Sequence, residues 1–268
     1  MLRKLLKYEW KAVWKVLVII NAFTVVSTLI GMVVVKSADT WHIAGRSMPM
    51  VILFMLYYMT IIGVSFAMSV YMAIRFYRNL YTDEGYLMHT LPVTKRQLVL
   101  SKLLVHALCQ FITQVLLLIS VILLLFPLFA EVLDMPYLFL NHIVPDLLEM
   151  LDSAGISVSA MVLLSLISNV AGLFSGTLTM YCAIVLGQTF HRHKVMGSIL
   201  CYIGFYCMTQ TFTSMLIIPQ TFYIGTVDFN PMSYMSHILT SVSIFCLFSG
   251  IVYYCITMYM MNKKLNLD

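Results

Sequence analysis

Six apolar segments, at residues 16–35, 50–74, 103–129, 156–187, 196–218 and 236–261, contain no Asp, Glu, Lys or Arg. Each is long enough to cross a hydrocarbon layer of about 30 Å, which takes roughly 20 helical residues. In the first segment about a dozen strongly apolar residues, at roughly −0.3 to −0.6 kcal/mol each, favour insertion by several kcal/mol. One or two central charges would erase that margin, and none is present. With 61% hydrophobic and 10% charged residues, a soluble globular domain is excluded. We find no internal repeat, low-complexity tract or linker, so residues 1–268 read as a single all-α integral membrane domain.

The charges then set the expected orientation. Five lie in the N-terminal stretch (Arg3, Lys4, Lys7, Lys11, Lys15) and five after the second span (Arg75, Arg78, Lys95, Arg96, Lys102). Arg192 and Lys194 follow the fourth span, and Lys263 and Lys264 the sixth, leaving only Lys36 and Arg46 for the other side. The excess of Lys and Arg predicts a multi-pass protein with both termini cytoplasmic. Residues 2–15 pattern as a basic amphipathic helix, Lys7, Lys11 and Lys15 on one side and Leu6, Trp10, Val13 and Trp14 on the other. Such a helix is expected in the headgroup plane, its lysines toward anionic lipid. The uncharged run over 16–35 is too long for a signal-peptide core and lacks an Ala-x-Ala site, so the first span is expected to be retained.

Only one long polar stretch interrupts the apolar pattern, from Arg75 to Lys102. Thr82 is placed to cap a short helix whose first turn holds Asp83 and Glu84, where carboxylates suit the positive end of the helix dipole. Pro92 stops that helix. Thr94 with Gln97 three residues on is a capping-box pattern, predicting a new helix from about Lys95 into the third span. Tyr86, Leu87 and Leu91 among Arg78, Lys95 and Arg96 fit either a docking surface for a soluble partner or a solvated loop with an interfacial turn.

On the opposite side, Ile143, Leu147 and Leu151 share a helical face within residues 131–152, predicting a short surface helix. The connection from Pro219 to Ser236 either dips back into the membrane, which requires protein to cover its backbone, or loops freely. In span four, Ser168, Gly172 and Gly176 recur at intervals of four, a small-residue stripe read as close helix packing within one subunit.

The spans offer little ionisable chemistry: only His106 and His237 could titrate within them. Ion-coupled carriers normally need ionisable groups at depth. Two uncharged polar stripes are present, Asn21, Thr24 and Thr28 in the first span and His106, Gln110 and Gln114 in the third. They either line a path for polar parts of a substrate or hydrogen-bond packed helices to one another. The six cysteines fall in apolar spans without a Cys-x-x-Cys pair and read as small buried hydrophobes. There is no His-Glu-x-x-His metal motif and no phosphate-binding P-loop. Gly172 and Ser175 are one residue too far apart for a nucleophile elbow. We therefore expect no enzyme, no metal and no nucleic-acid partner; if ATP drives this chain, another chain binds it.

The order of basic N-terminal helix, two spans, the segment Asp83-Glu84-Gly85-Tyr86-Leu87 … Leu91-Pro92-Val93-Thr94-Lys95-Arg96, and four further spans resembles the permease subunits of ABC-2-type transporters of Gram-positive bacteria. The likeness covers the whole chain by topology and this segment by motif. It implies six membrane helices in a bacterial cell membrane, with short re-entrant helices before the last span. It also implies two permease subunits, a homodimer being favoured, with two ABC ATPase subunits that bind ATP and Mg. Asp83, Glu84, Gly85, Tyr86, Leu87, Leu91 and Pro92 would then form or flank the coupling helix that engages the ATPase. Ion-coupled carriage and a non-transporting scaffold or sensor are the rival expectations.

Overall fold

Long runs of Leu, Ile, Val and Met with few interior Gly or Pro residues drive this chain into helices, and the computed structural model is helical wherever it is regular. It describes residues 2–38, 47–82, 94–133, 144–190, 192–222 and 230–263. Seven helices occur among these: α1 (Leu2–Ala38), α2 (Ser47–Tyr81), α3 (Lys95–Leu133), α4 (Val144–Ser153), α5 (Val158–Gly187), α6 (Lys194–Thr221) and α7 (Pro231–Lys263). All but α4 are long and apolar enough to cross a membrane, making this a multi-pass membrane protein.

The chain forms two compact units, Met1–Met72 with Leu104–Ile143, and Ala73–Leu103 with Val144–Asp268. The division falls inside α2 and α3 rather than in a linker.

In the first unit α1 runs unbroken for 37 residues, about 55 Å at the α-helical rise. This corrects the expected separate helix over residues 2–15: no Gly or Pro occurs before Gly31, so nothing ends the helix between the basic turns and the span. The buried face of α1 passes through Glu9, Val13, Leu17, Asn21, Thr24, Thr28 and Gly31, a spacing of three and four that keeps one stripe inward. Val13 and Leu17 pack there with Met68 and Met72 of α2 and Val105 and Cys109 of α3.

The second unit has an aromatic and aliphatic core. Phe76 stacks on Tyr181 with ring centroids 3.7 Å apart, surrounded by Leu80, Leu98, Val99, Leu178, Cys182 and Met261. Ser175 and Ser249 share a buried hydrogen bond of 2.8 Å where α5 meets α7. Thr209 meets the Tyr253 hydroxyl at 3.1 Å.

Local signals set several ends. Thr94 Oγ1 accepts from the Gln97 amide at 3.4 Å as α3 begins at Lys95, the start that the Thr94/Gln97 spacing predicts. Thr82 donates to the Arg78 carbonyl at the end of α2, and the short helix it is expected to cap lies outside the described residues. Gly155 at φ +65° terminates the α4 turn, where the Ile156 amide reaches the Leu151 carbonyl at 3.0 Å. Asn230 caps α7 by accepting from the Met232 amide at 2.9 Å, with Pro231 in the first helical position. Its side-chain amide donates to Ser153 of α4 at 2.9 Å.

The short helix expected within residues 131–152 is present as α4, with Leu151 buried and Leu147 exposed. Other expectations change. Pro219 lies inside α6 and residues 231–236 open α7, so the described parts of the expected re-entrant connection extend those helices; residues 223–229 lie outside the described residues. Of the six free cysteines only Cys109 and Cys182 are buried, while Cys207 and Cys255 are exposed. An apolar span has an outward face for lipid, and hydropathy alone does not tell which face a thiol occupies.

Candidate functional site

Most polar groups on the interhelical faces of the first unit are amides and hydroxyls. The stripe of Asn21, Thr24 and Thr28 lies on the packed face of α1, all three buried. Thr28 donates to its own helix at the Thr24 carbonyl, 2.7 Å away, a common way for a membrane-helix hydroxyl to satisfy itself. Thr24 makes no such bond, and its hydroxyl is buried without a partner.

Asn21 has a fixed orientation. Its Nδ2 donates to the Leu17 carbonyl at 2.9 Å and to Thr113 Oγ1 of α3 at 3.2 Å. Thr113 in turn donates to the Cys109 carbonyl at 3.0 Å, so its hydroxyl proton is already directed away from Asn21. A backbone carbonyl can only accept, so the nitrogen must face Leu17 and the side-chain oxygen must face elsewhere. That oxygen, Oδ1, is buried with no partner.

On α3, His106 and Gln110 are buried and Gln114 is half-buried. Gln110 donates to Ser65 of α2 at 3.3 Å, while its carbonyl oxygen and that of Gln114 are buried without partners. Further along the same unit, Tyr57 of α2 and Ser120 of α3 are hydrogen-bonded. The α1 stripe is thus joined to α3 through Thr113, and Gln110 of the α3 stripe to α2.

Thr113, Ser65, Tyr57 and Ser120 were not singled out by sequence. Thr113 and Ser120 were legible in principle, since they continue the α3 face at 106, 110, 113, 117 and 120. Hydroxyl side chains merge into apolar spans because helices satisfy them internally, so nothing but register distinguishes a bridging one.

The small-residue stripe is elsewhere than expected. A Cβ added at Gly172 or Gly176 would meet no atom within 4 Å among the described residues, and Ser168 is half-buried. On the neighbouring face Ser175 bonds Ser249 of α7, and a Cβ at Gly250 would sit in ordinary van der Waals contact with Ser175 Cα at 3.7 Å, so among the described residues this packing runs beside Gly172 and Gly176. Asp83, Glu84, Gly85, Tyr86, Leu87, Leu91 and Pro92 lie outside the described residues.

Compared with known protein families, curated proteins and solved structures, the chain matches none.

Proposed function

We propose that this chain is the membrane-embedded permease subunit of an ATP-driven exporter of the ABC-2 type, moving a hydrophobic or amphipathic cargo such as a peptide or a lipid-linked molecule. The observation that carries this reading is the interior of the first unit. Within a bundle of membrane-spanning helices it offers amide and hydroxyl groups at depth and, among Asp, Glu, Lys and Arg, none in the six apolar segments. Such an interior suits uncharged cargo with some polar groups. It gives an ion-coupled carrier little to titrate.

In this reading the basic connections and both termini face the cytoplasm. Residues 83–91 form the coupling segment, with Tyr86 and Leu87 as apolar contacts for a separate ATPase that holds ATP and Mg. Two such ATPases serve two permease copies. Closure of the ATPases on nucleotide would move the coupling segment, and α2 and α3, between which it lies in the chain, would carry that motion into the membrane. The permease copies would then alternate between inward and outward access.

The test is co-purification with the candidate ATPase and cargo-stimulated ATP hydrolysis in proteoliposomes. Tyr86→Asp with Leu87→Asp should abolish association while membrane insertion persists. Retained association would remove this coupling surface. ATP hydrolysis indifferent to cargo would favour a scaffold or sensor, and transport driven by an ion gradient without ATP would favour a secondary carrier.

A further inference from the structure

Asn21 and Thr24 are 6% and 2% exposed, and Gln110 is 8% exposed, yet Asn21 Oδ1, Thr24 Oγ1 and Gln110 Oε1 have no hydrogen-bond partner. Buried polar atoms are nearly always satisfied, so unpartnered ones call for a reason. Asn21 is the informative one, because both of its N–H groups are already engaged and reversing the amide would set its oxygen against the Leu17 carbonyl, which can only accept. What remains is an oxygen that can only accept. Thr24 lies on the same face three residues on, one turn away. Gln110 and Gln114 add further carbonyl oxygens on α3, the helix that Asn21 bonds to. The unsatisfied capacity is weighted toward acceptors, and the partner missing from it is a donor.

We propose that the α1–α3 face around Asn21 is a cargo-binding site selective for N–H donors, so that the cargo is a peptide whose backbone amides complete these oxygens, and a molecule of equal apolarity lacking N–H groups is discriminated against. This rests on the exporter reading only for the word cargo; the selectivity belongs to the site itself. The discrimination follows from the cost of burying an acceptor unpaired against the gain of one good hydrogen bond, which corresponds to about ten-fold in affinity or more.

The experiment uses the full-length permease alone in lipid nanodiscs, without ATPase. The probe is a capped Leu-Ala decapeptide carrying one photoreactive side chain, compared with its counterpart in which every backbone N–H is methylated. Saturable crosslinking to α1 and α3, about ten-fold tighter for the N–H peptide, is the expected result. Asn21→Leu should erase that preference. Thr24→Val, nearly isosteric, should reduce it and keeps the test usable if Asn21→Leu does not fold. Equal binding of the two peptides, crosslinking that never saturates, or a preference untouched by both substitutions would overturn the proposal and leave the oxygens to bound water. The two readings fail separately: N–H-selective binding with no stimulated ATP hydrolysis sinks the exporter and keeps the site. Stimulation by both peptides alike keeps the exporter and sinks the selectivity.

Discussion

The two units bury polar groups in contrasting ways. In the second, polar side chains tend to come in matched pairs, Ser175 with Ser249 and Thr209 with Tyr253, set beside a core of stacked rings and thioethers. In the first, the amides and hydroxyls that bridge the helices leave oxygens over at Asn21, Thr24, Gln110 and Gln114. Gln220 is the second unit's one such residue among those described: its nitrogen donates to Ser241 at 3.1 Å and its oxygen is unpartnered. In lipid there is no water to repair a missed hydrogen bond, so the second pattern of pairing favours a rigid body. The first costs stability unless another molecule completes it.

The comparison breaks most easily at Phe76. It is 1% exposed and stacked on Tyr181, so Phe76→Ala should cost about 3–5 kcal/mol, read as a large fall in the unfolding midpoint in mixed micelles. Next is Gly187, where an added Cβ would collide with the backbone nitrogen and Cα of Ser198 at the α5–α6 turn. Backbone atoms cannot rotate aside as a side-chain tip can, so Gly187→Ala should cost roughly 1–3 kcal/mol by the same measurement. Unchanged midpoints for both would mean that the second unit is not the rigid one.

A smaller effect is expected at Lys95, whose ammonium donates to the Met261 carbonyl at 2.9 Å, in the last turn of α7. Carbonyls there lack partners in the helix, and a cation suits the negative end of its dipole. Lys95→Met should cost about 1 kcal/mol, given its partial exposure, and show as faster amide exchange at the C-terminal end of α7. Protection unaltered there would show that the helix end is held by other contacts.

Much of this was legible in the sequence, and the failures share a cause. The absence of Asp, Glu, Lys and Arg over 16–35 and its five counterparts fixes six spans, because hydrocarbon penalises charge wherever it sits around the helix. Caps are equally local, and Thr94 with Gln97 marks the start of α3 from four residues. Facing is not local. Gly172 and Gly176 have the spacing of a packing stripe, yet a Cβ there would meet no atom within 4 Å among the described residues, while Ser175 and Ser249, distant in sequence, bond α5 to α7. Likewise the polar stripe of α1 was readable and Thr113 had the register of the α3 stripe, but that the two face each other was not, since lipid is as apolar as a protein core and periodicity cannot tell the two apart.

The finest test of the contrast is a substitution expected to change stability least. Asn21→Leu removes two donated hydrogen bonds, but the Leu17 carbonyl lies inside α1 and the Thr113 hydroxyl still donates to Cys109. It also removes an acceptor buried without a partner. Interhelical hydrogen bonds in membranes are worth only about 0.6 kcal/mol on average, less than the roughly 1–3 kcal/mol of leaving a buried polar group unsatisfied. The unfolding midpoint of Asn21→Leu should therefore hold or rise, by up to about 1 kcal/mol. Ser175→Ala removes the interhelical bond of a matched pair and no unpartnered oxygen; Ser249 still donates to the Cys246 carbonyl at 3.1 Å, so the midpoint should fall by only about 0.6 kcal/mol. If both substitutions destabilise alike, the oxygen of Asn21 is satisfied in the membrane, and the two units bury their polar groups by the same rule.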